Sequence, residues 1–193
     1  MISAIVLAAG QSNRMGQQKM LMPWGQKRVI SQVVSTLLDG GIDQIYLITG
    51  GSQSALKDAL KDYKIKYLFN KDFANGEMLM SVQVGLKGLG KDSEAALIVL
   101  GDQPQSESRI IQLIVERYLS TQHRIIVPSY EKHRGHPWLV EQSFWEEILN
   151  LFPPLTMHNF LNLHNDVIDY IIVDTPSVIQ DLDTPSDYAR YKP

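Results

Sequence analysis

Short apolar runs alternate along this chain with segments whose apolar positions recur at helical spacing. Ile2 to Leu7 reads as a first strand. Val29, Ile30, Val33, Val34, Leu37 and Leu38 mark a helix that Gly40-Gly41 stop. Gln44 to Thr49 is a second strand, and a polar helix carrying Leu56 and Leu60 follows it. Ile65 to Phe69 is a third strand, and Glu77 to Leu89 is helical. Ala95 to Leu100 is the most apolar run, which puts it at the centre of a sheet. Glu107 to Leu119 is a helix and Arg124 to Val127 a strand. Pro137 to Val140 is a short apolar run, Phe144 to Leu149 begins a helix, Val167 to Val173 is a late strand, and a short helix starts at Pro185. Such alternation predicts an α/β fold whose mostly parallel sheet carries helices on both faces.

The pattern shows no linker and no repeat, so residues 1–193 read as a single domain. Residues 128–167 are the least regular part. They contain Pro137, Pro153 and Pro154 and four of the five histidines. They are expected to form an irregular insertion on the acceptor side of a cleft.

The chain of 193 residues is long enough for a sizeable core. Its net charge of −3 supplies no basic field to attract nucleic acid, so any anion must be held by local charge. The absence of cysteine removes disulfides, thiolate metal sites and a cysteine nucleophile. No apolar run has membrane-spanning length, and the first residues lack the basic leader of a signal peptide. A cytoplasmic protein without a membrane partner is expected.

The candidate chemistry begins where the first strand ends. Leu7-Ala8-Ala9-Gly10-Gln11-Ser12-Asn13-Arg14-Met15-Gly16-Gln17-Gln18-Lys19 is a small-residue loop with a cation in its middle and another at its end. About 18 residues separate Leu7 from the next helical pattern, against the usual ~2–6 for such a connection. A loop at the carboxyl end of a first parallel strand is where open α/β sheets hold nucleotides. It is no Walker A loop, since Gln17 follows Gly16 where Lys is needed, and no dinucleotide fingerprint, since Gln11-Ser12 follow Gly10. The missing fingerprint also disfavours an NAD-dependent oxidoreductase.

Gly101-Asp102-Gln103-Pro104 ends the central strand, so Asp102 lies beside that loop. A carboxylate there suits a magnesium ion that also binds phosphate oxygens. In Asp181-Leu182-Asp183-Thr184-Pro185-Ser186-Asp187, a helix start accounts for Thr184, Pro185 and Asp187 but leaves Asp183 free to reach the same metal. Ser81 is either an ordinary helical serine or a hydrogen-bond partner for a base. Arg134-Gly135-His136-Pro137 brings a cation and an imidazole into the irregular region, where an exposed loop histidine is the plain alternative to a functional one.

Taken in order, LAAGQSNRMGQQK at 7–19, the helix start at Gly76–Leu86, GDQP at 101–104, RGHP at 134–137 and DLDTPSDY at 181–188 resemble the MobA/MocA-like family of nucleotidyltransferases, in particular its molybdenum cofactor cytidylyltransferase branch. The resemblance implies a Rossmann-like nucleotidyltransferase architecture and transfer of CMP from CTP to the terminal phosphate of molybdopterin cofactor, with release of pyrophosphate. It implies a nucleotide surrounded by Leu7, Ala8, Ala9, Gly10, Gly16, Ser81 and Gly101. Arg14 and Lys19 would contact its phosphates and, with Asp102, act in catalysis. Asp102 and Asp183 would hold Mg2+, and Arg134 and His136 would meet the acceptor. A molybdenum hydroxylase apo-enzyme is the implied protein partner. The Ala8-Ala9 pair matches the cytidylyl branch, where the guanylyl branch tends to have Ala-Gly. Of the consecutive serines of relatives, Ser81 alone remains. Two readings stay open beside this one. One is a transferase of the same fold using GTP or a sugar or alditol phosphate. The other is a non-catalytic nucleotide-binding maturation factor.

Overall fold

The computed structural model describes residues 1–10, 12–75 and 78–193. The first apolar run forms β1 (Ile2–Ala8). Two 3-10 turns (Asn13–Met15 and Lys19–Leu21) and a hairpin of β2 (Pro23–Trp24) and β3 (Lys27–Arg28) fill the long connection to α1 (Val29–Asp39). Then come β4 (Ile45–Thr49), α2 (Gln53–Ala59), β5 (Ile65–Phe69), α3 (Met78–Gly88), β6 (Ala95–Leu100) and α4 (Ser108–Ser120). The chain continues through β7 (Ile125–Tyr130), β8 (His133–Arg134), β9 (Trp138–Glu141), α5 (Trp145–Leu149), α6 (Met157–Leu163), β10 (Ile168–Ile172) and α7 (Pro185–Tyr191). The expected helix from Glu77 is thus α3 from Met78 onward. Gly76 and Glu77, like Gln11 of the first loop, lie outside the described residues.

The main sheet runs β10-β7-β9-β6-β1-β4-β5, with β8 paired to β7. β6 is at its middle, as its apolar composition demands. β1 lies parallel to β4 and β6, β4 to β5, and β7 to β10. β9 is antiparallel to both β6 and β7. The strands on either side of β9 therefore point the same way, and every parallel strand delivers its carboxyl end to one edge of the sheet.

Period-two alternation sends Ala4, Val6 and Ala8 of β1 to one face and Ile5 to the other. The first face is covered by α1 and α4. The apolar stripe of α1, Val29, Ile30, Val33, Val34 and Leu37, is almost wholly removed from water, and each such side chain contributes about 1.5–3 kcal/mol. The opposite face is covered by α3, α5 and α6, through Leu79, Val82, Ile148, Phe160 and Leu161. Gly85 lets α3 come close, since a Cβ there would stand 2.5 Å from the Ile5 side chain.

The segment 128–167, expected to be irregular, carries the end of β7, β8, β9, α5 and α6. Its short apolar run becomes a strand in the sheet interior, where Trp138, Leu139 and Val140 are at most 1% exposed. A run this short does not disclose strand direction, and its antiparallel insertion between β6 and β7 depends on the hairpin that precedes it.

Candidate active site

The first loop is held in shape by its own polar side chains. Ser12 and Gly16 have left-handed backbone, at φ 55° and 66°. The Ser12 hydroxyl donates to Gln18 Oε1 at 2.7 Å and accepts from the Lys19 amide at 3.2 Å. The Gln18 side-chain amide in turn donates to Ser52, just ahead of α2. Lys19 is thereby fixed at the carboxyl edge of the sheet.

Asp102 reaches that edge from β6. Gly101 donates its amide to the Leu7 carbonyl at 3.1 Å. A Cβ at position 101 would lie 2.8 Å from the same carbonyl oxygen and 3.1 Å from Met20 Sδ, so the chain can turn here only without a side chain. Asp183 arrives from the late part of the chain. The Leu182 amide donates to the Asp102 carbonyl at 3.1 Å, and the Leu182 side chain is buried with Met15, Met22, Trp24 and Val29. Beyond it, Thr184 and Asp187 form a capping box that starts α7, with Pro185 in its first turn.

These elements bring four of the expected side chains together. The Lys19 ammonium donates to Asp102 and lies 3.3 Å from Asp183 Oδ1. Arg14 meets Asp183 Oδ2 at 2.9 Å. Burial works against the Lys19 charge, but the Asp102 and Asp183 carboxylates outweigh it and hold its pKa above the ordinary lysine value. Lys19 therefore stays an ammonium throughout the neutral range. Asp181 is the neighbour that behaves differently. Burial, reinforced by the Asp102 charge, pushes its carboxyl up to about 6 against the hydrogen bond from Gln103.

Beside this cluster opens a cleft of about 170 Å³. The first loop and β6 contribute Leu7, Ala9, Gly10, Lys19, Leu100 and Asp102, and the end of β5 with α3 contributes Asn70, Phe73, Met78 and Ser81. Ser81 accepts from the Asn70 amide at 3.0 Å, and Asn70 is 1% exposed, so the pair is a fixed polar edge in an otherwise apolar wall. Ala8 is packed in the core rather than on this wall, Gly16 is an exposed turn residue, and Gly101 serves the close approach of strands just described. Asn70, Gln103 and Asp181 escaped the sequence reading. For Asn70 and Gln103 the available signal is position, just beyond the carboxyl ends of β5 and β6; Asp181 follows a 3-10 turn and carries no such signal.

The residues of the RGHP motif go elsewhere. Arg134 bonds Tyr170, Asn162 and Asn165. His136 is buried, its ring stacked on Trp138 with centroids 4.0 Å apart and its Nδ1 3.4 Å from the Ile98 carbonyl, which can only accept. Burial drives the imidazole pKa down to about 3, with the nearby His158 charge adding to the effect against the Ile98 carbonyl. An unfolded chain binds this proton from pH 6.5 downward, the folded chain only near 3. The stability carried by neutral His136 is therefore complete above 6.5 and is lost as pH falls through that window, at up to about 1.4 kcal/mol per unit. Urea unfolding of the wild type and His136→Gln at pH 7 and pH 4.5 should show the wild-type advantage shrinking by roughly 2–3 kcal/mol. An advantage unchanged between the two pH values contradicts this.

The donor set suits a divalent cation. Asp102 and Asp183 already share one positive charge, the Lys19 ammonium. They offer hard oxygen ligands of the kind magnesium or manganese takes. Among the described residues no three His, Cys, Asp or Glu side chains gather into a complete metal cage. Magnesium commonly takes one or two protein carboxylates and completes its shell from substrate and water.

A cationic loop and paired carboxylates at the carboxyl edge of a mostly parallel sheet define a nucleotide-handling α/β enzyme. The chain belongs to the MobA-like NTP transferase domain family, whose model matches residues 4–167. It is a nucleotidyltransferase by that membership. It is 27% identical, over 99% of its length and 95% of the relative's, to the molybdenum cofactor cytidylyltransferase of Escherichia coli K12. Its fold is similar to that of Rv0371c from Mycobacterium tuberculosis H37Rv, with a TM-score of 0.83 and 26% identity, covering 98% of this chain and 96% of that one. A structure of Rv0371c in complex with manganese matches at a TM-score of 0.76 and 26% identity, over the same shares of the two chains. Among the described residues no helix is long and apolar enough to cross a membrane.

Proposed function

We propose that this nucleotidyltransferase transfers CMP from CTP to the terminal phosphate of molybdopterin cofactor and releases pyrophosphate. The observation that carries the reading is the convergence of Lys19, Asp102, Asp183 and Arg14 beside the cleft of the first loop. The similarity to a molybdenum cofactor cytidylyltransferase along almost the whole chain supports the choice of acceptor.

An oxygen of the acceptor phosphate attacks the α-phosphorus. A new P–O bond forms as the bond to the β-phosphate bridging oxygen breaks, and pyrophosphate carries away the electron pair. A phosphate monoester is already ionised near neutral pH, so the site needs no strong base. What it must do is align the two phosphates and meet the charge that develops. Lys19 and Arg14 bind the triphosphate oxygens, Lys19 from a nearly buried position and Arg14 from the open side. The backbone of Ala8, Ala9 and Gly10 passes beneath the nucleotide, and Asn70 with Ser81 offers hydrogen bonds to the base. Asp102 and Asp183 would hold Mg2+ or a similar ion, which when bound neutralises phosphate charge and polarises the reacting phosphoryl group. A molybdenum hydroxylase apo-enzyme would be the recipient of the product.

Turnover with each of the four nucleoside triphosphates, magnesium and molybdopterin cofactor tests the nucleotide. CTP is expected to exceed GTP by about 10-fold or more in kcat/KM, the scale of one base-specific hydrogen-bond set. A preference for GTP rejects the cytidylyl assignment. Release of pyrophosphate with a sugar or alditol phosphate and not with the cofactor rejects the acceptor.

A further inference from the structure

The chain leaving β6 and the chain arriving at Asp183 lie side by side in opposite directions. The Leu182 amide bonds the Asp102 carbonyl, Gln103 Nε2 donates to Asp181 Oδ1 at 2.7 Å, and Gln105 Nε2 donates to the Gln180 carbonyl. Gln103 Nε2 also lies 3.4 Å from the carbonyl of Val178, in the 3-10 turn Pro176–Ile179. Pro104 stands between the two glutamines and has no N–H to give. The side-chain amides on either side of it supply the donors instead. The Val178 carbonyl is a meeting point. It accepts from the His136 amide at 2.7 Å, and a Cβ on Gly135 would stand 2.7 Å from it. The RGHP segment, the GDQP segment and the approach to Asp183 thus close on one oxygen. Gln103 and Val178 are both buried there.

The Asp183 carboxylate itself has little else to hold it. Among the described residues it is met by Lys19 and Arg14 alone. These are the two cations that a bound triphosphate would draw to its own oxygens. Once they turn to the nucleotide, the place of Asp183 is set by its backbone. After it comes the capping box of α7, and before it the anchored Leu182. Ahead of Leu182, the bonds from Gln103 and Gln105 are what tie residues 178–181 to the exit of β6. Neither glutamine lines the nucleotide cleft.

We propose that Gln103 and Gln105 are positioning residues for the divalent ion. They lock residues 178–181 onto the exit of β6 and so keep Asp183 opposite Asp102 while the triphosphate occupies Lys19 and Arg14. They act through Asp183 and touch neither the ion nor the nucleotide. The inference rests on the reading of Asp102 and Asp183 as holders of that ion, and is independent of which acceptor the enzyme uses.

The test is Mn2+ binding followed by electron paramagnetic resonance, with and without CTP and with no acceptor present. Gln103→Glu sets a second carboxylate against Asp181 in place of an amide donor. In Gln103→Glu/Asp181→Asn the bond returns with donor and acceptor exchanged and the net charge of the wild type. Mn2+ affinity in the presence of CTP should fall about 10-fold or more in the single variant, the usual loss when the support behind a metal ligand is removed, and return to within about 3-fold of wild type in the double. The sign is diagnostic. A carboxylate added near the ion would tighten it by charge alone, so weaker binding reports a displaced Asp183. Gln105→Met is the second route, and it decides the matter if Gln103→Glu does not fold. Gln105 Oε1 is buried with no hydrogen-bond partner among the described residues, so this change removes an orphaned acceptor along with one bond. Its thermal unfolding should match wild type while Mn2+ affinity falls several-fold. Unchanged affinity in both Gln103→Glu and Gln105→Met overturns the inference, and so does a double variant no better than the single. A wild type that releases no pyrophosphate with molybdopterin cofactor rejects the acceptor and leaves the Mn2+ result standing. A wild type that binds no Mn2+, with or without CTP, overturns the metal assignment and this inference with it.

Discussion

Changing Asp102 to asparagine is expected to cut pyrophosphate release by on the order of 100-fold, the size of losing one preorganised charge contact at a reacting phosphate. Asparagine keeps the shape of the side chain and removes its charge. The fold should tolerate the change. The contact that ties residue 102 to the late part of the chain uses its backbone carbonyl, bonded by the Leu182 amide, and the carboxylate itself faces Lys19 at the open edge of the sheet. Two things are lost together, a hard oxygen ligand and the partner that keeps Lys19 in place. Asp102→Ala should be at least as damaging. The measurement is steady-state pyrophosphate release beside a thermal unfolding curve. An Asp102→Asn protein that unfolds like wild type and turns over at a wild-type rate removes this residue from the chemistry.

Lys19→Ala is expected to lower kcat/KM for the nucleotide by a similar factor, on the order of 100-fold. Its side chain is 12% exposed, against 70% for Arg14. A charge held away from water acts on a neighbouring phosphate with less screening, so Lys19 should matter more than Arg14. Removing it also leaves Asp102 and Asp183 facing each other without the cation they share. Kinetics on Lys19→Ala and Arg14→Ala side by side check the ordering. A larger loss for Arg14→Ala would mean that the exposed end of the loop, and not its anchored end, meets the transferred phosphate.

Much of this arrangement is written in the residue pattern. β4, β5 and β6 begin and end within a residue of their apolar runs, and for β4 and β6 the cause is packing on both faces, which gives a run sharp limits. The helices α1 and α4 follow their apolar stripes. The long first connection and Asp102 at the exit of the central strand point to one edge, and Lys19, Arg14, Asp102 and Asp183 do meet there. What the pattern hides has identifiable causes. The β2–β3 hairpin and β8 are two residues each, too short for any period to register. α6 opens with Thr156 and Asn159 as its capping box, a weaker signature than the usual Glu or Gln at that place. His136 resembles a loop histidine in sequence. Its burial follows from β9 entering the sheet beside Ile98, a long-range pairing that local spacing does not encode. Asn70 likewise gains its place only from the parallel pairing of β4 with β5, which sets the end of β5 at the rim.

Leu182 sits among Met15, Met22, Trp24 and Val29, with Tyr188 and Tyr191 packed alongside, and the Tyr188 hydroxyl donates to the Pro23 carbonyl at 2.5 Å. An early stretch of polypeptide is thus braced by one that is made more than a hundred residues later. During synthesis the cationic loop, held until then by Ser12, Gln18 and Ser52, must wait for this brace until the ribosome has passed residue 191. Competence to grip a triphosphate is in that sense a late event in the life of the molecule, reached only when the two stretches have closed on each other.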